Sequence, residues 1–160
     1  MLAMYKGKPL VSHAADAIRA LKPDLLIAVT RAKDVEDLLP DFQCVSPPSN
    51  APQSASLRVG IRAAKLEGAD RALVVLGDMP NITPSLLRAL VERTSDAAAT
   101  ATDGAKTLPP ACFPKNMFAQ LARVDGDKGA REIIKRLSKT QHVLARAEDL
   151  RDIDVPAALA

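Results

Sequence analysis

The sequence predicts an α/β domain in which helices sandwich a mostly parallel sheet. Three observations predict it. Apolar stretches of strand length, such as "DLLIAVT" (residues 24–30) and "RALVVL" (71–76), alternate with amphipathic stretches of helix length. The connections are short, and no repeat or linker interrupts the pattern. Finally, 160 residues suffice for one domain with a full core and are too few for two ordinary ones.

Taken in order, "KPLVSHAADAIRAL" puts Leu10, Ala14, Ala17, Ile18 and Leu21 on one helical face, and residues 24–30 follow as a buried strand. "DVEDLL" reads as a short polar helix and "FQCVSP" as a weak strand ended by Pro47 and Pro48. A loop from Ser49 becomes a helix that starts between Gln53 and Ser56 and stops at Gly68. Next come the strand through Leu73–Val74–Val75–Leu76, a turn, and a helix opened by Thr83 and Pro84. "AAATATD" is a small-residue strand. "KTLPPACFP" is extended, and its paired prolines suit a sheet edge or a loop. Helical stretches at 115–123 and 128–138, the short strand "HVLARA" and the terminal "DLRDIDVPAALA" complete the chain.

Composition narrows the function. Hydrophobic content of 48% with 26% charged residues is that of a globular chain. The core is aliphatic, because there are three Phe, one Tyr and no Trp, and that scarcity leaves nothing to stack on nucleobases in a row. A net charge of +3, without any basic run, suits a small phosphate-bearing substrate rather than nucleic acid. Cys44 and Cys112 lack metal-ligand spacing and read as two reduced thiols. His13 and His142 sit in helix and strand patterns with no ligand spacing around them. No stretch has the length of a membrane span, and the opening "MLAMYK" is not patterned as a signal peptide, so a cytoplasmic protein is expected.

Asp78 is the residue that asks for an explanation. It stands where the apolar strand stops, and in parallel sheets ligands bind beyond the carboxyl ends of the strands. It is too early to cap the next helix, a task for which Thr83 is better placed. An Asx turn remains open for it, as do binding magnesium, accepting a proton and being phosphorylated. In "RDIDVP", Asp152 and Asp154 point to the same side if the segment is extended. A solvated chain end is the plain reading of that pair. Alternatively, Asp154 joins Asp78 around a hard cation, which takes one or two carboxylates together with substrate phosphates.

Four stretches carry a resemblance: "NAPQSASLRVGI" (50–61), "VVLGDMPNITPSLL" (74–87), "GDKGAREII" (126–134) and "DIDVP" (152–156). In this order and spacing the chain resembles the molybdenum-cofactor nucleotidyltransferases with a MobA-like NTP transferase domain, and more closely their cytidylyltransferase branch. The likeness runs from about Tyr5 to Pro156. It implies a Rossmann-like, three-layer nucleotidyltransferase fold. It also implies that the cofactor's terminal phosphate attacks the α-phosphorus of a nucleoside triphosphate, CTP in this branch, with release of pyrophosphate. By the same resemblance Asp78 and Asp154 are the catalytic, magnesium-holding acids, and Gln53, Ser54, Ser56, Gly77 and Met79 contact the nucleotide. Lys128 and Arg131 would reach the pterin phosphate, with a molybdoenzyme or its chaperone as the receiving partner. For the serines, capping of their own helix is the structural alternative; for Asp127, capping is preferred over ligand contact.

The sequence departs from the family in two places. Relatives normally open with a strand and a glycine-rich loop followed by a lysine, whereas this chain starts on what resembles the stretch just after it. A sheet without that usual first strand would leave the strands at 25–30 and 73–76 either with unpaired edges or paired with each other. Weak activity is then expected, and a non-catalytic module that binds nucleotide weakly or binds a protein is the alternative. In addition, "TLPPACFP" stands where relatives often carry Gly-His-Pro. A phosphorylated receiver-like domain is the poorer third reading, since no acidic cluster ends the first strand.

Overall fold

The computed structural model describes residues 1–50, 52–124 and 129–153; Asp127, Lys128 and Asp154 lie outside them, and of Gln53 only the main chain is described. A hairpin opens the chain, β1 (Met4–Tyr5) against β2 (Lys8–Pro9), turning through Lys6 and Gly7, both with positive φ. Two positive-φ residues in succession are what the type I′ two-residue hairpin turn requires. There follow α1 (Leu10–Arg19), β3 (Ile27–Val29), α2 (Lys33–Glu36), β4 (Gln43–Val45) and α3 (Gln53–Leu66). After them run β5 (Arg71–Val74), α4 (Pro84–Arg93), β6 (Ala99–Thr102), β7 (Thr107–Pro114), α5 (Phe118–Leu121), α6 (Gly129–Lys135) and β8 (His142–Leu144).

Helix ends follow local chemistry. Thr83 caps α4 by accepting from the Leu86 amide, with Pro84 in the first turn as expected. Gly68, at φ +77°, ends α3: its own N–H reaches the Lys65 carbonyl, and the Ala69 N–H reaches Ala64. That pair of bonds is the C-terminal motif in which glycine takes the left-handed position.

Apart from the hairpin, the strands form a layer in two hydrogen-bonded pieces. β3 and β4 pair in parallel, and the larger sheet has the order β5–β7–β6–β8. β7 runs antiparallel to both β5 and β6, while β8 is parallel to β6, so β5, β6 and β8 point one way around an inverted β7. β3 and β5 do not pair with each other. Both nevertheless lie between the same two helices. Val11 and Ala15 of α1 share one apolar cluster with Ala28 of β3, and Ala17 and Ile18 share another with Leu73 of β5. On the other face, α3 meets Val29 at Gly60, where an added Cβ would come within 3.1 Å, and its Leu57 and Ile61 share an apolar cluster with Ala72 and Val74.

Alternation along the strands builds the three layers. Leu73, Ala99, Ala101 and Cys112 face α1 and α4; Ala72, Val74, Ala98, Ala111 and Phe113 face α3, α5 and α6. Phe113 and Phe118 supply the bulk that the alanines lack. Phe113→Ala should therefore cost about 3–5 kcal/mol of stability, read as a shift in the urea midpoint at unchanged slope.

One expectation is corrected. The proline-bearing stretch is neither loop nor edge: β7 is flanked on both sides, by β5 and by β6. The paired prolines Pro109 and Pro110 fit because both ladders avoid them. Pairing with β5 ends at Ala111, and pairing with β6 slips between Thr100 and Ala101, whose partners are Ala111 and Leu108. Pro109 and Pro110, joined by a cis bond, occupy that bulge, and the Thr100 hydroxyl donates to the Leu108 carbonyl across it. Cys44 and Cys112 are both free thiols, and no helix among the described residues is long and apolar enough to cross a membrane.

Candidate active site

Beyond β5 the chain runs through Val75 and Leu76 into a turn at Gly77 and Asp78. Met79 and Ile82, 2% and 6% exposed, anchor the loop in the core beneath α4. The loop is thereby clamped on its far side, which leaves Asp78 half-buried at the strand's carboxyl end with its Oδ1 shielded from solvent. Because the Met79 side chain lies in the core, a nucleotide could meet this residue only through its main chain. Gly77 is crowded from another direction: a Cβ there would lie 2.9 Å from the Met1 sulfur.

The C-terminal segment comes to this loop. Leu150 enters the same core, Ile153 is 8% exposed, and the Ile153 N–H donates to the Asp78 carbonyl at 2.9 Å. Two stretches separated by nearly half the chain are thus joined at the main chain of Asp78. Asp152 beside Ile153 is exposed. Asp154, expected to share a cation with Asp78, falls outside the described residues.

The first turn of α3 also opens beyond the carboxyl end of a strand, β4. Here the serine-capping alternative is corrected, because Pro52 occupies the N-cap and no side chain caps the helix. Ser54 is 3% exposed, and its hydroxyl has no hydrogen-bond partner among the described residues. Buried hydroxyls are seldom left so, and a ligand at the helix mouth would satisfy this one. Ser56 is half-buried in the same turn. Arg131 is exposed on α6, a helix packed against α3 and β7, and it makes no ion pair among the described residues. His13 has a structural task, its Nε2 lying 2.7 Å from the Tyr5 carbonyl and its ring edge-on to the Tyr5 ring.

Sequence reasoning missed Tyr5, Lys6 and Asn81. The Tyr5 hydroxyl donates to Asn81 Oδ1 at 3.2 Å, and the Lys6 ammonium reaches the same oxygen at 3.4 Å. The Asn81 amide nitrogen donates to the Glu148 carbonyl at 3.3 Å. A Lys-Gly turn flanked by Tyr and Lys-Pro was the one local signal of the hairpin; nothing in the sequence marked Asn81 as its partner.

Could such a site hold a divalent ion? No three acids, histidines or cysteines cluster as a ready-made metal cage among the described residues. One shielded carboxylate at a strand end nonetheless fits a magnesium- or manganese-type ion that arrives with phosphates, since such ions keep few protein ligands.

Comparisons with known proteins agree with this architecture. The chain is 31% identical over 107 residues to the purine catabolism protein PucB of Bacillus subtilis, a match covering 65% of the chain and 52% of PucB. It therefore spans about half the length of that curated relative. Among solved structures, Rv0371c of Mycobacterium tuberculosis superposes with a TM-score of 0.82 at 22% identity, over 96% of this chain and 83% of that one. A second structure of Rv0371c is a complex with manganese, at TM-score 0.73 and 21% identity, over 91% and 80% of the two chains. The 4-diphosphocytidyl-2C-methyl-D-erythritol synthase of Anaerococcus prevotii superposes with a TM-score of 0.73 at 17% identity, over 94% of this chain and 85% of that one. At these identities the structural matches speak for the fold alone. Residues 1–143 match the MobA-like NTP transferase domain, and the chain belongs to that family of nucleotidyltransferases.

Proposed function

We propose that the domain transfers a nucleoside monophosphate, CMP from CTP, to the terminal phosphate of a molybdopterin-type cofactor. The acceptor's phosphate oxygen attacks the α-phosphorus; the bond from that phosphorus to the bridging oxygen breaks, and pyrophosphate leaves with the electron pair. The observation that carries the reading is the bond between Ile153 and Asp78, which brings residues 151–153 to "LGDMP" at the carboxyl end of β5. Asp78 holds magnesium against the triphosphate, with Asp154 as the second acid, and the metal supplies charge neutralisation at the phosphates. Gln53, Ser54 and Ser56 at the mouth of α3 take the nucleotide, with main-chain groups at Gly77 and Met79 beside it, and Lys128 and Arg131 take the acceptor's phosphate. The protein's contribution is positioning and electrostatics, as phosphoryl-type transfer demands. The choice of CTP follows the diphosphocytidyl compound for which the fold neighbour from Anaerococcus prevotii is named, and that of a divalent ion follows the manganese bound to Rv0371c.

Calorimetric titration of CTP and GTP, with and without magnesium, tests this. CTP should bind in a metal-dependent way and at least tenfold more tightly than GTP. Binding of neither nucleotide would leave a non-catalytic module as the reading. Pyrophosphate release that requires the pterin cofactor identifies the acceptor.

A further inference from the structure

Three chain segments meet beside Asp78, and one side chain touches them all. Asn81 belongs to the loop between β5 and α4; its Oδ1 accepts from Tyr5 and Lys6 of the β1–β2 hairpin, and its Nδ2 donates to the carbonyl of Glu148 in the segment after β8. The amide's orientation is dictated by its partners. An ammonium can only donate and a main-chain carbonyl can only accept, so the oxygen must face the hairpin and the nitrogen the C-terminal segment. Resting on the nucleotidyltransferase reading, we propose that Asn81 is a positioning residue, which keeps the hairpin and the C-terminal segment in register with the Asp78 loop for the incoming phosphates.

Neither tethered segment is stiff by itself. The hairpin has two residues per strand, below what stands alone in water. The C-terminal segment leaves the sheet at Leu144 and next reaches the core at Leu150. Glu148 lies between those anchors, where the Arg146 side chain pairs with Asp149 and with Glu148, all within the segment itself. The Asn81 amide is a side-chain tie from that stretch to the Asp78 loop, five residues ahead of the Ile153 bond to Asp78. Each of the Asn81 bonds is long and partly exposed, so the effect of losing them is local opening rather than global unfolding.

The test uses the full chain with Asn81→Ala, Asn81→Asp and Tyr5→Phe, read by residue-resolved amide hydrogen exchange and by magnesium-dependent CTP binding. Asn81→Ala should speed exchange at the Ile153 amide at least tenfold, leave core amides of β6 and β7 unchanged, and weaken CTP binding about tenfold. Asn81→Asp keeps the acceptor and loses the donor, so it should loosen Ile153 and spare the hairpin; Tyr5→Phe should do the reverse. Unchanged exchange at Ile153 in Asn81→Ala, or equal acceleration of every amide, overturns the proposal whether or not nucleotide binds. So does altered exchange in a protein whose CTP affinity stays at the wild-type value. Wild-type protein that binds neither CTP nor GTP refutes the nucleotidyltransferase reading instead, and the exchange pattern then judges the Asn81 tie by itself.

Discussion

Asp78→Asn will lower metal-dependent nucleotidyl transfer by roughly 10²–10³-fold, about 2.7–4 kcal/mol of barrier, with the fold left as it is. The substitution keeps the shape of the side chain and removes its charge. The loop stays anchored through Met79 and Ile82, and the Ile153 bond goes to the Asp78 carbonyl, which no side-chain change removes. The main-chain placement of the loop is therefore kept, and the loss should fall on the affinity for magnesium together with nucleotide. Nucleotide titrated without metal gives the control, since wild type and variant should then bind alike. An Asp78→Asn variant that still needs magnesium and binds CTP as wild type does would show that the metal is held elsewhere.

Asp78 could be picked out from sequence because everything that marks it is local. An apolar run, a turn and a Thr-Pro cap lie within a short stretch, and each has its own chemical signature. The same holds for the end of α3 at Gly68, where the left-handed position demands glycine. β7 shows the opposite case. A pair of prolines argues against a central strand, and what overrides the argument is that β7 loops both of them out as a bulge while its pairing with β6 resumes on either side, a partner's register that no local pattern in "TLPPACFP" reveals. At α3 the capping alternative for the serines fails because the proline before them takes that position, so Ser54 is carried inside the first turn and buried. The Tyr5–Asn81 contact spans 76 residues and joins two polar side chains, so it produces no periodicity to read. Packing is visible in a sequence as pattern; a polar tie between remote loops is visible only after folding.

The C-terminal segment offers the sharper test of how the site is assembled, because its side-chain and main-chain contributions separate at Ile153. Ile153→Ala keeps the N–H that reaches the Asp78 carbonyl and removes most of a side chain that is 8% exposed. Ile-to-Ala changes in cores cost about 2–5 kcal/mol. Here the cost is capped, because the segment lies outside the sheet and can detach without unfolding the rest. The expected loss in global stability is thus at the low end, about 2 kcal/mol, and the expected loss in magnesium-dependent CTP affinity is about tenfold, equivalent to ~1.4 kcal/mol. Ile153→Pro removes the donor itself while favouring an extended conformation at Asp152. If the main-chain bond sets the placement of this segment, proline will lower CTP affinity more than alanine does, although it retains more apolar bulk. If burial sets it, alanine will be the worse variant, and Ile153→Val will fall between alanine and wild type. The order of proline and alanine therefore decides whether the tail reaches Asp78 by hydrogen bonding or merely by packing close to it.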